Sequence, residues 1–260
     1  MTPGRRRTGF EDMSIAVAFL VVIMAAWQFM ASGSAEAPTP LDVGIRLWEM
    51  IADGELFSAL AVSWTTILQG FTIAAVMGIT LGMVAGNWPV AAAWLEPVIN
   101  VLRPIAPFAW IPMALLWFGT GGGAAVMITA YAAFFPILTN TLAGVRRIRS
   151  SLVVAARVLG ASDATIFLRI VVPGSLRLTL VGLRLGIGLA WAAVIAAELA
   201  TGQSTTAPPG IGYLMYLNFA AESDVASIVA MMIAIGLSAF LADQLLRLIG
   251  KRIIVWPGEG

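Results

Sequence analysis

The sequence predicts an all-α polytopic membrane protein, and three observations carry that expectation. Of 260 residues, 60% are hydrophobic and only 11% charged, where a soluble domain of this length is about half apolar and about one quarter charged. The mean hydropathy of +0.92 means more apolar surface than one soluble core can hide, so the bilayer is the natural solvent. Apolar stretches of spanning length recur along the chain, with the charges gathered between them.

Six spans follow in order. The first, about 14–31, trails Arg5-Arg6-Arg7 and is long enough to cross a membrane. Its length favours a retained span over a cleaved leader ending near Ala31-Ser32-Gly33-Ser34-Ala35. Residues 41–57 set Leu41, Ile45, Leu47, Trp48 and Ile51 among charges behind Pro38 and Pro40, the pattern of a short helix in the outer interface. In the second span, about 58–86, Gly78, Gly82 and Gly86 recur every four residues, a spacing that lets helices approach closely. The third, about 92–118, is interrupted by Pro97, Pro104, Pro107 and Pro112. Each proline removes a backbone donor and frees a carbonyl, which opens the helix where it can line a cavity. The fourth span covers about 124–143, and the fifth about 178–200, with Gly182, Gly186 and Gly188 set for close packing. A turn-rich external connection near 201–212 leads to the sixth, about 225–249. The chain thus divides into an N-terminal unit, 1–57, a core, 58–250, carrying a polar loop at 146–177, and a tail, 251–260.

Charge placement orients the scheme. With both termini in the cytoplasm, the inner segments hold Arg5, Arg6, Arg7, Arg146, Arg147, Arg149, Arg157, Arg169, Arg177, Lys251 and Arg252, while Arg184 and Arg247 lie near the inner ends of their spans. The outer segments hold only Arg46, beside Glu36, Asp42, Glu49, Asp53, Glu55, Glu222 and Asp224. Basic residues concentrate on the cytoplasmic side of membrane proteins, so the bias sets the orientation. The net charge of +1 gives no reason to expect a nucleic-acid partner, because the arginines sort by topology rather than into a patch.

The chain has no cysteine and no histidine. It therefore lacks disulfides, thiol nucleophiles and the commonest transition-metal ligands, so no catalytic residue, metal site or cofactor is expected. It also contains no GxxxxGK[ST] loop, so it cannot itself hydrolyse ATP.

The loop at 146–177 is the most informative segment. Seven of the fifteen Lys+Arg residues fall between Arg146 and Arg184. Within it, Ala155-Ala156, Gly160, Ile170 and Pro173 have the spacing A-A-x3-G-x9-I-x-x-P. Small residues let a short helix press into a groove, Gly160 permits a sharp turn, and Pro173 stops the element before the next span. Ser162 or Asp163 can cap a second short helix at 164–170. This loop resembles the "EAA" coupling loop of permease subunits of bacterial binding-protein-dependent ABC importers. The resemblance extends from about Gly70 to Leu248. Leu102-Arg103-Pro104-Ile105-Ala106-Pro107-Phe108-Ala109-Trp110-Ile111-Pro112, Leu116-Trp117-Phe118-Gly119, Phe134-Phe135-Pro136-Ile137-Leu138-Thr139-Asn140-Thr141 and Gly182-Leu183-Arg184 are similar to the branch that imports taurine, aliphatic sulfonates, nitrate and bicarbonate.

The resemblance implies a five-helix permease core behind an N-terminal helix in the bacterial inner membrane, and a second permease subunit, giving a homodimer. It further implies two ATP-binding cassette subunits docked on residues 150–173 and an extracytoplasmic substrate-binding protein. Val154, Ala155, Ala156, Gly160, Ala161, Ile170 and Pro173 carry the coupling motif. The motif ordinarily opens with Glu, and Val154 stands there instead, so shape complementarity through the small residues replaces an ion pair or cap. An ion-coupled secondary transporter is the alternative. It would need a relay of intramembrane carboxylates, and only Glu198 and Asp243 come close, with no inverted repeat visible.

Four further residues are candidates for the pathway. Arg103, in the proline-broken third span, either neutralises an anion or snorkels and pairs with Glu96. Glu198 forms a gate ion pair, caps a helix break ahead of Gly202, or is a simple interfacial carboxylate. Asn140 lines the path or makes an interhelical hydrogen bond. Trp110, with Trp117 and Phe118, forms an apolar gate or anchors at the interface.

Overall fold

The computed structural model describes residues 9–33, 37–201, 208–222 and 224–253. All regular elements among them are helical: α1 (Gly9–Ser32), α2 (Pro40–Ala52), α3 (Glu55–Asn87), α4 (Pro89–Leu102), α5 (Ile111–Phe118), α6 (Gly122–Arg146), α7 (Ser150–Val158), α8 (Asp163–Ile166), α9 (Val172–Thr201), α10 (Ile211–Leu217) and α11 (Val225–Ile253). The all-α expectation holds. Arg5–Arg7, Glu36, the loop residues 202–207 and the tail beyond Ile253 lie outside the described residues.

Four helical stretches are long and apolar enough to cross a membrane, namely α3, α6, 163–201 and α11. The α4–α5 pair, bent by 88°, makes a fifth if counted as one span. The bend has a local cause. Pro104 and Pro107 contribute no amide hydrogen, and Ala106 before Pro107 is extended at φ −62°, ψ 138°, as the residue preceding a proline prefers. A short 3₁₀ turn, Pro107–Trp110, then leads into α5. The N-terminal segment expected as the first of six spans is helical as the 24 residues of α1, but it is not among these four or five stretches, Val21–Ser32 counting only as a shorter apolar helix.

Pro173 does not behave as expected. Rather than stopping a helix, it sits at the second position of α9, and the helical run is unbroken from Asp163 to Thr201. The five residues before α9, Phe167–Val171, form a π turn in which the Val172 amide donates to the Phe167 carbonyl, and Pro173 follows directly in the first turn of α9. The fifth span therefore begins inside the expected loop.

The core is built around α6, which lies between α3 and α9. On α3, a β-carbon added at Gly82 would stand 2.7 Å from Thr141 Cβ and 2.9 Å from the Leu138 carbonyl oxygen. On α9, one at Gly182 would stand 2.9 Å from Asn140 Cβ and 2.9 Å from the Pro136 carbonyl oxygen. Both flanking helices thus meet α6 backbone to backbone, the contact that drives helix association where lipid removes the hydrophobic driving force. Gly188 differs from the expectation: nothing lies within 4 Å of its would-be β-carbon. Ile67, Ile137, Ala190, Trp191 and Val194 fill the space beside these seams, and the Trp64 and Trp191 rings meet edge to face at 5.2 Å.

A second layer covers the end of the bundle where α3 begins. Thr39 and Asp42 form a capping box that starts α2. Val43 and Met50 pack on Leu56, Ala59, Leu214 and Met231. Arg46 donates to Asp224 at 2.9 Å and to Ser227 at 2.6 Å. Burial pushes the Asp224 carboxyl up, but the bonds from Ser227 and the Arg46 guanidinium outweigh it and hold the group below its ordinary value of 3.8. Leu41, Ile45 and Trp48, on the opposite face of α2, are exposed.

The glycine seams generate a specific expectation. Gly82→Val forces a side chain into Thr141 and the Leu138 carbonyl, at a cost of ~1–3 kcal/mol for overpacking, whereas Gly188→Ala meets open space. Thermal unfolding of the detergent-solubilised protein should show a clearly lowered midpoint for Gly82→Val and little change for Gly188→Ala. Equal midpoints for the two variants contradict the close-packed seam.

Candidate functional site

The polar loop folds as a rigid turn of two helices. α7 ends in a Schellman motif: the Gly160 amide donates to the Arg157 carbonyl at 2.9 Å and the Ala161 amide to the Ala156 carbonyl at 3.0 Å. Gly160 adopts φ +81°, a left-handed conformation that costs other residues roughly 1–2 kcal/mol. Its β-carbon would touch nothing within 4 Å, so the requirement at this position is conformational rather than steric. The A-x3-G-A part of the motif is therefore a helix stop whose two ends, Ala156 and Ala161, pack together on the body. Ser162 then caps α8, its hydroxyl accepting from the Thr165 amide at 3.3 Å. Arg157 pairs with Asp163 across the turn at 3.0 Å, though both are exposed and the pair is worth little by itself.

α7 has three faces. Val153 and Ala156 pack inward, with Ala161 and Ile170, on the cluster of Met83, Val145, Ile166 and Val171. Leu152, Ala155 and Leu159 border an open groove toward α9 and α11. Val154 and Val158 point away from the body, 57% and 82% exposed. The small residue Ala156 thus seats the helix on its own chain, and the surface left free is a branched apolar one. Pro173 and Ile170 lie on the same groove wall.

The pathway candidates part company. Arg103 stands at the α4–α5 bend, exposed, and has no ionic or hydrogen-bond partner among the described residues. Glu96, expected as its alternative partner, pairs with Arg146 instead and ties α4 to the end of α6. Trp110 is half-buried beside the bend, its ring 5.4 Å from that of Tyr131. Tyr131 donates its hydroxyl to the Leu102 carbonyl at 2.6 Å, where α4 breaks. Trp117 and Phe118 are each 56% exposed at the far end of α5. Asn140 is half-buried against the Gly182 seam, and its amide donates to the Pro136 carbonyl of its own helix at 2.8 Å rather than to another helix.

Glu198 makes no ion pair among the described residues. It is buried, accepts from the Ser63 hydroxyl at 2.8 Å and from the Gly212 amide at 2.9 Å, and abuts Gly210. Ser63 in turn accepts from the Ile211 amide at 2.9 Å. The carboxylate therefore caps α10 and fastens α9, α3 and α10 together, while Gly202, ahead of which a capped break was expected, lies outside the described residues. Ser63 gave no signal in the sequence, since a lone serine in an apolar span has no pattern. The pair of Arg184 with Asp243, bonded at 2.6 and 2.9 Å between α9 and α11, was likewise foreshadowed only as two separate intramembrane charges.

A bundle of this plan, with a bent third span and an ordered polar turn between two long spans, is the architecture of an importer permease. The chain belongs to the family described as binding-protein-dependent transport system inner membrane component, which matches residues 76–255. A nitrate import permease protein of Leptolyngbya laminosa is 32% identical over 253 residues, spanning 94% of this chain and 88% of its own. A taurine transport system permease protein of Escherichia coli (strain K12) is 30% identical over 259 residues, spanning 96% and 92%. Among solved structures, a bacterial ABC transporter involved in the import of the acidic polysaccharide alginate has a TM-score of 0.65 at 14% identity. That match covers 93% of this chain and 96% of the other, and the likeness is one of fold. The chain is a multi-pass inner-membrane permease of an ABC importer.

The turn after α7 yields a sharp expectation. Asn tolerates the left-handed region and Val does not. Limited trypsin digestion at Arg157 should be faster in Gly160→Val than in the parent and nearly unchanged in Gly160→Asn. Indistinguishable digestion of the two variants contradicts the conformational role of Gly160.

Proposed function

We propose that two copies of this chain form the translocation pathway for a small anion such as taurine, another sulfonate, nitrate or bicarbonate. A soluble binding protein delivers the anion to the outer face, and both termini lie in the cytoplasm. Two cytosolic ATPase subunits dock on α7 and the turn that follows it, meeting the free Val154 and Val158. ATP binding draws the two docking helices together and turns the pathway outward, and hydrolysis resets it. The chain makes and breaks no covalent bond. It is a two-state element whose equilibrium nucleotide biases.

The observation that carries the anionic substrate is Arg103. A permanently charged guanidinium is costly within a span unless it meets water, a carboxylate or an anionic solute. Here it stands at an 88° break, with its nearest acidic candidate, Glu96, engaged by Arg146. The names of the nitrate and taurine relatives point the same way. Arg103→Gln should cut ATP-driven uptake about tenfold to a hundredfold, the factor implied by ~1.5–3 kcal/mol for a hydrogen bond to a charged group. Arg103→Lys should retain part of it, with the assembled complex intact in both. Normal uptake by Arg103→Gln contradicts the role.

Orientation is checked separately, and the absence of native thiols makes it clean. A cysteine at Asp53 should react with an impermeant thiol reagent from outside intact cells and one at Ser151 should not. The reverse labelling overturns the orientation.

A further inference from the structure

The α7–α9–α11 groove, of about 990 Å³, lies at the upper end of the range for ligand sites. Five cations line it: Arg169, Arg177 and Arg184 on the helical run from Asp163 to Thr201, and Arg247 and Lys251 on α11. Against them stands one carboxylate, Asp243, shared by Arg184 and Arg247. Arg169, Arg177 and Lys251 have no acidic partner among the described residues. This cationic excess is concentrated in one groove of a chain whose net charge is +1.

The rest of the wall is apolar, including Leu176, Leu180 and Leu246, and no hydroxyl or amide side chain lines it among the described residues. The charges are graded along the helix axes. Arg177 stands in the second turn of α9 and Lys251 in the last turn of α11, while Arg184 lies seven residues beyond Arg177. That separation is about 10 Å along the axis. The unpaired cations therefore sit at the groove's mouth and the apolar wall continues past them between the spans. A small hydrated anion would match the charges and leave the apolar wall wasted. An apolar solute would leave three cations unanswered.

We propose that this groove binds an anionic phospholipid of the cytoplasmic leaflet. Its phosphate lies among Arg169, Arg177 and Lys251, and an acyl chain lies along Leu176, Leu180 and Leu246. Placement in the cytoplasmic leaflet rests on the orientation proposed above; the binding chemistry does not. Because Leu152, Ala155 and Leu159 of α7 form the opposite wall, the lipid is wedged behind the ATPase-docking helix and braces it against α11.

The test uses the purified permease–ATPase complex and native mass spectrometry, with dioleoylphosphatidylglycerol and dioleoylphosphatidylcholine as probes of equal chain length. The parent complex should retain phosphatidylglycerol preferentially. The double variant R177Q/K251Q should bind it roughly twenty-five-fold more weakly, at about fivefold per cation near an anionic lipid. R147Q/R252Q, which removes two exposed cations that do not line the groove, should bind as the parent does. Three results overturn the proposal: equal retention of the two lipids, equal loss in both double variants, or displacement of phosphatidylglycerol by millimolar inorganic phosphate, which would make the site one for a free anion. Reversed cysteine labelling at Asp53 and Ser151 with lipid selectivity intact would move the site to the other leaflet and fault only the orientation.

Discussion

The close approach of α3 and α9 to α6 is the contact on which everything else in this molecule rests. In lipid, two apolar helix faces gain little by meeting each other rather than acyl chains, so association depends on fit. Gly82 and Gly182 supply that fit from opposite sides, each leaving less than 3 Å between its missing side chain and the α6 backbone or a β-carbon on it. With α6 held on both flanks, its end at Arg146 is fixed. The end of α6 in turn carries Val145, on which the cluster beneath α7 is built, and Gly144, where an added β-carbon would stand 2.8 Å from the Ser175 carbonyl oxygen. The turn after α7 is thus an extension of the best-packed part of the bundle rather than a loop hung from it.

That connection explains how a motif of small residues can transmit force. Ala156 and Ala161 close the Schellman turn and seat it on Met83, Val145, Ile166 and Val171. The turn continues without a break through the π segment into α9. A push on α7 therefore reaches the long span directly, with no flexible linker to absorb it. The valine at the motif's opening position fits this arrangement, since Val154 faces away from the body and its replacement of an acid changes only what a partner would touch.

The fold class, the spans and the seams could be read from the sequence because they rest on periodic signals. Apolar length gave the spans, and glycines every four residues gave the α3–α6 contact. What could not be read depends on geometry that no spacing encodes. Pro173 looked like a stop because a proline lacks a donor, but the helical run passes through it, by way of a π turn just upstream. Gly188 looked like its neighbours because it shares the pattern at Gly182 and Gly186, yet it falls on the opposite side of the helix, at about 100° per residue. For Glu198 a helix cap was legible as one of three alternatives, but not the helix it caps, because its partners Ser63 and Gly212 lie 135 and 14 residues away. The same holds for the cationic groove. Its arginines were visible as a cytoplasmic bias, but only the folded chain brings α9 and the end of α11 to one wall.

The central claim is that this chain is a passive, two-state pathway driven through α7. It is tested most directly by the distance between the two copies of that helix in the assembled transporter. Spin labels on a cysteine at Arg147, exposed just ahead of α7 and outside the surface given to the ATPase, would report the separation in the nucleotide-free and ATP-trapped complex. The account predicts a distance distribution that shifts to shorter values when ATP is trapped and returns after hydrolysis. A distribution that does not change with nucleotide, in a complex that still transports, would contradict it.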